Sequence, residues 1–220
     1  MVLDAVLDVA LRRVTRVFDG VPAISQVSLD VARGERVWLR GSNGSGKSTL
    51  LQVVATALSP TLGGGEVLGF DVVRERDRIR ARTELLGHQA RLHRELPAVE
   101  NLQFTCRLYS ADAAAIPTAL EQVGLGDVAH VRTGSFSQGM RQRLALARCL
   151  VRDPELLLLD EPYAGLDVDA RTVVDGVLRR AASRGRTVLL ASHEEPPPGT
   201  VDRVVGMDAG RVVHVGEVVR

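Results

Sequence analysis

At 220 residues the chain is long for one small domain and short for two. Hydrophobic residues make up 45% and charged residues 25%, which excludes a disordered, collagenous or disulfide-scaffold chain. The formal net charge of +1 gives no whole-molecule attraction for nucleic acid or an anionic membrane, so no nucleic-acid partner is expected.

Residues 6 to 17 and 24 to 31 alternate apolar and polar side chains around a Phe18-Asp19-Gly20 turn, which predicts two antiparallel strands. Val37-Trp38-Leu39 reads as a short buried strand that stops at Gly41. Lys47 to Leu58 has helical spacing at Leu50, Leu51, Val54 and Leu58, with Ser59-Pro60 as its stop. Gly63-Gly64-Gly65 is expected to turn before a short strand, Glu66 to Leu68. Residues 74 to 82 are Arg-rich and read as a solvated helix or loop, and Leu85-Leu86 as a strand end.

Helices are predicted over Pro97 to Tyr109, Ala113 to Val123, Gln138 to Val151 and Asp169 to Ser183. Four leucines, Leu156 to Leu159, predict a central parallel strand, and Thr187 to Ala191 predicts another. The tail, Val204 to Val218, reads as a hairpin around Ala209-Gly210. The alternation gives an α/β fold with a mostly parallel sheet and added antiparallel pieces. The helical stretch at about 90 to 140 is expected to be a subdomain inserted into one domain spanning 1 to 220.

Cys106 and Cys149 stand far apart and belong to no metal-ligand cluster, so they are expected to be reduced thiols. No apolar run approaches the ~18 residues a spanning helix needs. The first ten residues carry Asp4 and Asp8 and no basic region, so no secretory signal is expected. A membrane part, if there is one, is expected to come from another chain.

Gly41-Ser42-Asn43-Gly44-Ser45-Gly46-Lys47-Ser48 fits a phosphate-binding loop, and it stands between a strand and a helix as that chemistry requires. Its glycines let backbone N–H groups close around phosphate oxygens, and the helix N-terminus adds positive partial charge. Lys47 is expected to reach the β- and γ-phosphates of the ligand. Ser48 is expected to ligate Mg²⁺, and Thr49 lies beside the phosphates. At the end of the leucine strand, Asp160 is expected to hold the Mg²⁺ site and Glu161 to orient or deprotonate the attacking water. Adjacent strand residues point opposite ways, so the two carboxylates suit two roles.

The order of motifs resembles the ATP-binding subunit of an ABC transporter. It runs from the phosphate loop through Gln89 and Ser137-Gln138-Gly139-Met140-Arg141-Gln142-Arg143. Asp160-Glu161, Gly165-Leu166-Asp167 and His193 complete it. The resemblance covers roughly residues 6 to 218. It implies a P-loop NTPase core of the ABC type, with an antiparallel β-subdomain and an inserted helical subdomain.

The resemblance also implies roles. Phe18 would stack on adenine, although it could be only a turn-flanking residue. Gln89 would sense the γ-phosphate and Mg²⁺ and link to the membrane partner. Ser137 and Gly139 would meet the γ-phosphate held by the opposite subunit; by its own chemistry Ser137 is also a helix N-cap. Asp167 would lie in the loop that crosses between subunits, or serve only as an N-cap. His193 would contact the γ-phosphate.

The implied partners are ATP with Mg²⁺, separate transmembrane subunits and a second ATP-binding subunit arranged head to tail. The implied location is the cytoplasmic face of the membrane. Leu96-Pro97-Ala98-Val99-Glu100-Asn101-Leu102 resembles the segment that docks on the membrane partner. Gly87-His88-Gln89, Glu95 to Leu102 and Asp160-Glu161-Pro162-Tyr163 together resemble the ATPase of the haem exporter of cytochrome c maturation. The Ser137 to Arg143 segment also resembles drug and polysaccharide exporters. Some ABC ATPases transport nothing and regulate membrane or cell-wall complexes, and that alternative stays open. His88 is read as a surface or packing residue, not a haem ligand.

Overall fold

The computed structural model describes residues 6–87, 90–166 and 168–217. The opening alternation folds into β1 (Leu7–Phe18) and β2 (Val21–Ala32), paired antiparallel across Asp19-Gly20. Their inward residues, among them Val9, Leu11, Ile24 and Val31, are buried. The short apolar run forms β3 (Arg36–Arg40), and the phosphate-loop motif leads into α1 (Lys47–Val54). This helix stops four residues before its expected end at Leu58. Thr56 takes a left-handed backbone, with φ of 56°, which breaks the helix before Ser59-Pro60 is reached.

The three glycines predicted as a turn lie inside β4 (Leu62–Val67), which pairs with β1. The reason is close backbone approach. A Cβ on Gly65 would sit 2.1 Å from the Ala10 carbonyl oxygen, and one on Gly63 would sit 2.3 Å from that of Arg13. β5 (Phe70–Asp71), α2 (Arg76–Arg82) and β6 (Thr83–Leu86) follow. Next come α3 (Ala98–Tyr109), α4 (Ile116–Gln122), α5 (Gln138–Arg152) and β7 (Leu156–Asp160). The chain then forms α6 (Val168–Ser183), β8 (Thr187–Ala191), β9 (Arg203–Asp208) and β10 (Arg211–Glu217).

The chain divides into two compact units. The first takes in Met1–Gly87, Glu155–Pro162 and Ala181–Arg220. It holds a four-stranded sheet, β2-β1-β4-β5, and a six-stranded sheet, β10-β9-β3-β8-β7-β6. The six-stranded sheet is parallel except for β10, as apolar runs such as Leu156 to Leu159 of β7 predict. Helix α1 buries Leu50, Leu51, Val53 and Val54 in one core with residues of both sheets. Each such side chain contributes about 1.5–3 kcal/mol relative to exposure, so this core holds the helix that follows the phosphate loop.

The second unit takes in His88–Pro154 and Tyr163–Arg180. Its α3 and α4 pack on α5, with Leu102, Leu120, Leu144 and Leu146 buried. Asn101 fastens the loop before α3. Its Nδ2 donates to the carbonyls of His93, Leu96 and Pro97, and its Oδ1 accepts from the His93 N–H. Tyr163 donates to Asp175 at 2.8 Å. Burial, together with that carboxylate, pushes the Tyr163 phenol far above its ordinary pKa.

Candidate active site

Strand β3 ends at Arg40, and the six residues from Gly41 to Gly46 wrap back to start α1. The wrap depends on glycine at two points. Gly46, the residue before the helix, has φ of 99°, and a Cβ there would meet the Ala23 carbonyl oxygen at 2.7 Å. A Cβ on Gly41 would meet the Met207 carbonyl oxygen at 2.3 Å. No side chain caps α1 and no acidic residue lies in its first turn, so its leading N–H groups stay open to an anion. Ser42, Asn43 and Gly44 are exposed, whereas Ser45 is buried and its Oγ has no hydrogen-bond partner among the protein atoms.

Lys47 is only 5% exposed. Its Nζ donates to the carbonyls of Gly41, at 2.8 Å, and Ser42, at 3.0 Å, and lies 3.8 Å from Glu161 Oε1. Ser48 Oγ donates to Asp160 Oδ1 at 2.9 Å, and Thr49 follows it, half-buried, in the first turn of α1. Asp160 ends β7 as a buried residue. A hydroxyl and a carboxylate converging in this way are hard oxygen donors and fit Mg²⁺. Among the described residues no cluster of three His, Cys, Asp or Glu side chains forms a metal cage. A donor set of one hydroxyl and one carboxylate suits a cation shared with substrate phosphates.

Glu161 has a left-handed backbone, with φ of 49°, and its N–H donates to the Ala191 carbonyl at 2.8 Å. A non-glycine residue in that region is strained, and such strain gathers at functional sites. The two carboxylate oxygens differ. Oε2 accepts from the His193 N–H at 3.3 Å and lies 2.9 Å from His193 Nδ1. Oε1 is buried, faces Lys47 and has no hydrogen-bond partner among the protein atoms.

Five of the predicted residues, Lys47, Ser48, Asp160, Glu161 and His193, thus form one connected set within the first unit. Phe18 lies at the end of β1, 41% exposed. Its described contact is with Arg16, whose guanidinium sits 4.6 Å from the ring centre. Ser137 and Gly139 belong to the second unit. Ser137 Oγ accepts from the Met140 N–H at 3.2 Å, so Ser137 is the N-cap of α5. Around Gly139 the nearest atom to an added Cβ is Ser137 Oγ, at 4.0 Å. His88, Gln89 and Asp167 lie outside the described residues.

One element of the site had no signal of function in the sequence. The turn between β9 and β10 supports the phosphate loop: the Gly210 N–H donates to the Ser45 carbonyl at 3.1 Å, and the Ser25 N–H donates to the Gly210 carbonyl at 2.8 Å. A Cβ on Gly210 would lie 2.8 Å from the Ala23 carbonyl oxygen. Ala209-Gly210 reads only as a hairpin turn, because nothing local shows which loop it will lie beside.

The ABC transporter family profile matches residues 24–164. The "ABC transporter ATP-binding protein NatA" of Bacillus subtilis is 35% identical over 89% of this chain and 82% of its own length. The "Daunorubicin resistance ATP-binding protein DrrA3" of Streptomyces coeruleorubidus is 41% identical over 88% of this chain and 63% of its own length. A solved ATP-binding cassette, described as a dimer in a post-hydrolysis state bound to ADP and Pi, superposes with a TM-score of 0.86. It is 24% identical over 95% of this chain and 98% of its own, a likeness of fold. Neither relative is named for haem, so the resemblance to the haem exporter finds no support here and the drug-exporter resemblance finds some. Among the described residues no helix is long and apolar enough to cross a membrane. With the profile match, the NatA relationship and the phosphate-loop geometry together, the chain belongs to the ABC transporter family as an ATP-binding, ATP-hydrolysing cassette.

Proposed function

We propose that residues 1 to 220 act as one ATP-binding domain, the motor of an exporter of the drug or polysaccharide type. The support for the exporter class is the relative named for daunorubicin resistance. In this reading the Gly41 to Thr49 loop binds the phosphates and Lys47 pairs with them. Ser48 and Asp160, with Gln89, hold Mg²⁺, which neutralises phosphate charge when bound. Phe18 stacks on the adenine. Glu161 is the general base, and His193 fixes its orientation and lies beside the γ-phosphate.

The observation that carries the hydrolytic reading is the asymmetry of Glu161. One carboxylate oxygen is held by His193, and the other is buried, unbonded and 3.8 Å from Lys47 Nζ. A carboxylate oriented through one oxygen, with the second taking no hydrogen bond from the protein and only a 3.8 Å ion pair from Lys47, keeps acceptor capacity for a water that enters with the nucleotide, as a general base needs. Two such chains would pair head to tail, each lending Ser137, Gly139 and Asp167 to the ATP of the other. Separate transmembrane subunits would carry the substrate path, at the cytoplasmic face of the membrane.

The test has two arms. Glu161→Gln protein, mixed with MgATP and its membrane partner, is expected to accumulate as an ATP-bound dimer in size-exclusion light scattering. A persistent monomer would count against the paired arrangement. Deletion in the host is expected to raise sensitivity to exported drugs or deplete a surface polysaccharide, with c-type cytochromes intact. Loss of cytochromes would restore haem export, and a wall or division defect alone would point to a non-transport regulator.

A further inference from the structure

The end of α1 away from the phosphate loop is built in an unusual way. Thr56, two residues beyond the last helical residue, is fully buried and holds φ of 56°. Glycine adopts that conformation freely, but a β-branched residue there is a true outlier. Its carbonyl accepts from Arg76 Nη2 at 2.7 Å and from Arg80 Nη2 at 2.8 Å. Its Oγ1 accepts from Arg80 Nε at 3.1 Å.

The two arginines come from α2. Among the described residues Arg76 makes no ion pair, and its Nε is buried without a hydrogen-bond partner. Arg80 lies 3.7 Å from Asp77, but that carboxylate is 99% exposed and screened by water. Both guanidinium groups meet the Thr56 carbonyl, just beyond the negative end of the helix whose open, positive end follows the phosphate loop. At eight residues α1 is about 12 Å long, so a tilt at its carboxyl end displaces Lys47 and Ser48 at the other.

We propose that Arg76 and Arg80 are positioning residues for nucleotide binding. Through the Thr56 carbonyl they fix the carboxyl end of α1, and through α1 they fix the phosphate-binding end. This rests on reading Gly41 to Thr49 as the phosphate loop.

The test is equilibrium binding of a fluorescent ATP analogue to the full chain, with thermal melting measured on the same samples. Arg76→Gln/Arg80→Gln is expected to bind about tenfold more weakly, the loss of two cation contacts at a helix end. Adding Thr56→Gly to that double variant relieves the φ strain without restoring the guanidinium grip. It is expected to recover melting temperature but not affinity. Arg80→Lys keeps the charge but loses the fork, and is expected to recover affinity only in part.

Affinity that returns together with melting temperature in the triple variant would show a purely structural role and overturn the proposal. Unchanged affinity in the double variant, while Lys47→Ala loses binding, would also overturn it and leave the phosphate loop standing. Unchanged affinity in Lys47→Ala as well would remove the phosphate-loop reading and the proposal together.

Discussion

Two helices in this chain begin at motif residues, and their first turns are finished differently. Helix α5 begins with Ser137, whose hydroxyl accepts the Met140 N–H, so one of its orphan donors is satisfied within the chain. Helix α1 begins after Gly46 with no side-chain cap and no acidic residue in its first turn. Its surroundings are also less settled: Ser45 Oγ and Glu161 Oε1 are buried and unbonded. A capped terminus is largely stable by itself. An uncapped terminus beside buried polar orphans gives up stability that a bound anion restores. Under the proposed head-to-tail pairing, the contrast would separate a half-site that waits for a partner's ligand from one built to hold its own.

The largest expected effect is on the uncapped end. ATP with Mg²⁺ at 100 times its dissociation constant is expected to stabilise the protein by about 2.7 kcal/mol. Lys47→Ala is expected to abolish that ligand-induced rise in melting temperature and to cut turnover by roughly 10²- to 10³-fold. A variant that still gains the full thermal shift from ATP would break the contrast, because α1 would then bind phosphate without its buried lysine.

Next in size is His193→Ala. The imidazole is half-exposed and supports Glu161 through one oxygen only. Its loss is expected to slow ATP turnover roughly tenfold, as for one charge-assisted hydrogen bond. ATP affinity should change little, since Lys47 and the loop remain. A measured loss of affinity with turnover per bound ATP intact would move His193 from the hydrolytic set to the binding set.

Most of this contrast is legible in the sequence, and the limits have physical causes. The phosphate loop, Asp160 and the N-cap at Ser137 are local patterns, and each lies on the element its spacing predicts, whereas Glu161, expected as a strand neighbour of Asp160, stands one residue beyond β7 with a left-handed backbone. What the sequence hides is contact between distant segments. The glycine run at 63 to 65 looks like a turn but serves backbone proximity to β1. The helix over 47 to 58 looks twelve residues long because its apolar spacing runs past Thr56, whose left-handed backbone is held by arginines twenty and more residues away. Gly210 supports the phosphate loop across 165 residues of chain, from Ser45, and no local pattern announces that.

The capped end supplies the third prediction. Ser137→Ala removes the cap of α5 and is expected to cost about 1 kcal/mol, which lowers the melting temperature by about 2–4 °C. ATP binding by the separate chain should not change, because the phosphate loop belongs to the other unit. A fall in single-chain ATP affinity would show that the two termini are not independent.

The smallest effect, and the one that most sharpens the comparison, belongs to Phe18. Its ring carries the Arg16 guanidinium on one side, and Arg16 also donates to the Ser59 carbonyl at 3.1 Å. One side of the ring is thus occupied, and its 41% exposure leaves area for a flat partner. If adenine stacks there, Phe18→Ala is expected to weaken ATP binding about threefold, while Phe18→Trp should keep it. Triphosphate, which has no base, should bind both variants as it binds the parent chain. Equal losses for ATP and triphosphate would mean that Phe18 acts through the fold of β1. Equal retention of both would leave Phe18 a turn-flanking residue, with the phosphate loop supplying the measured affinity.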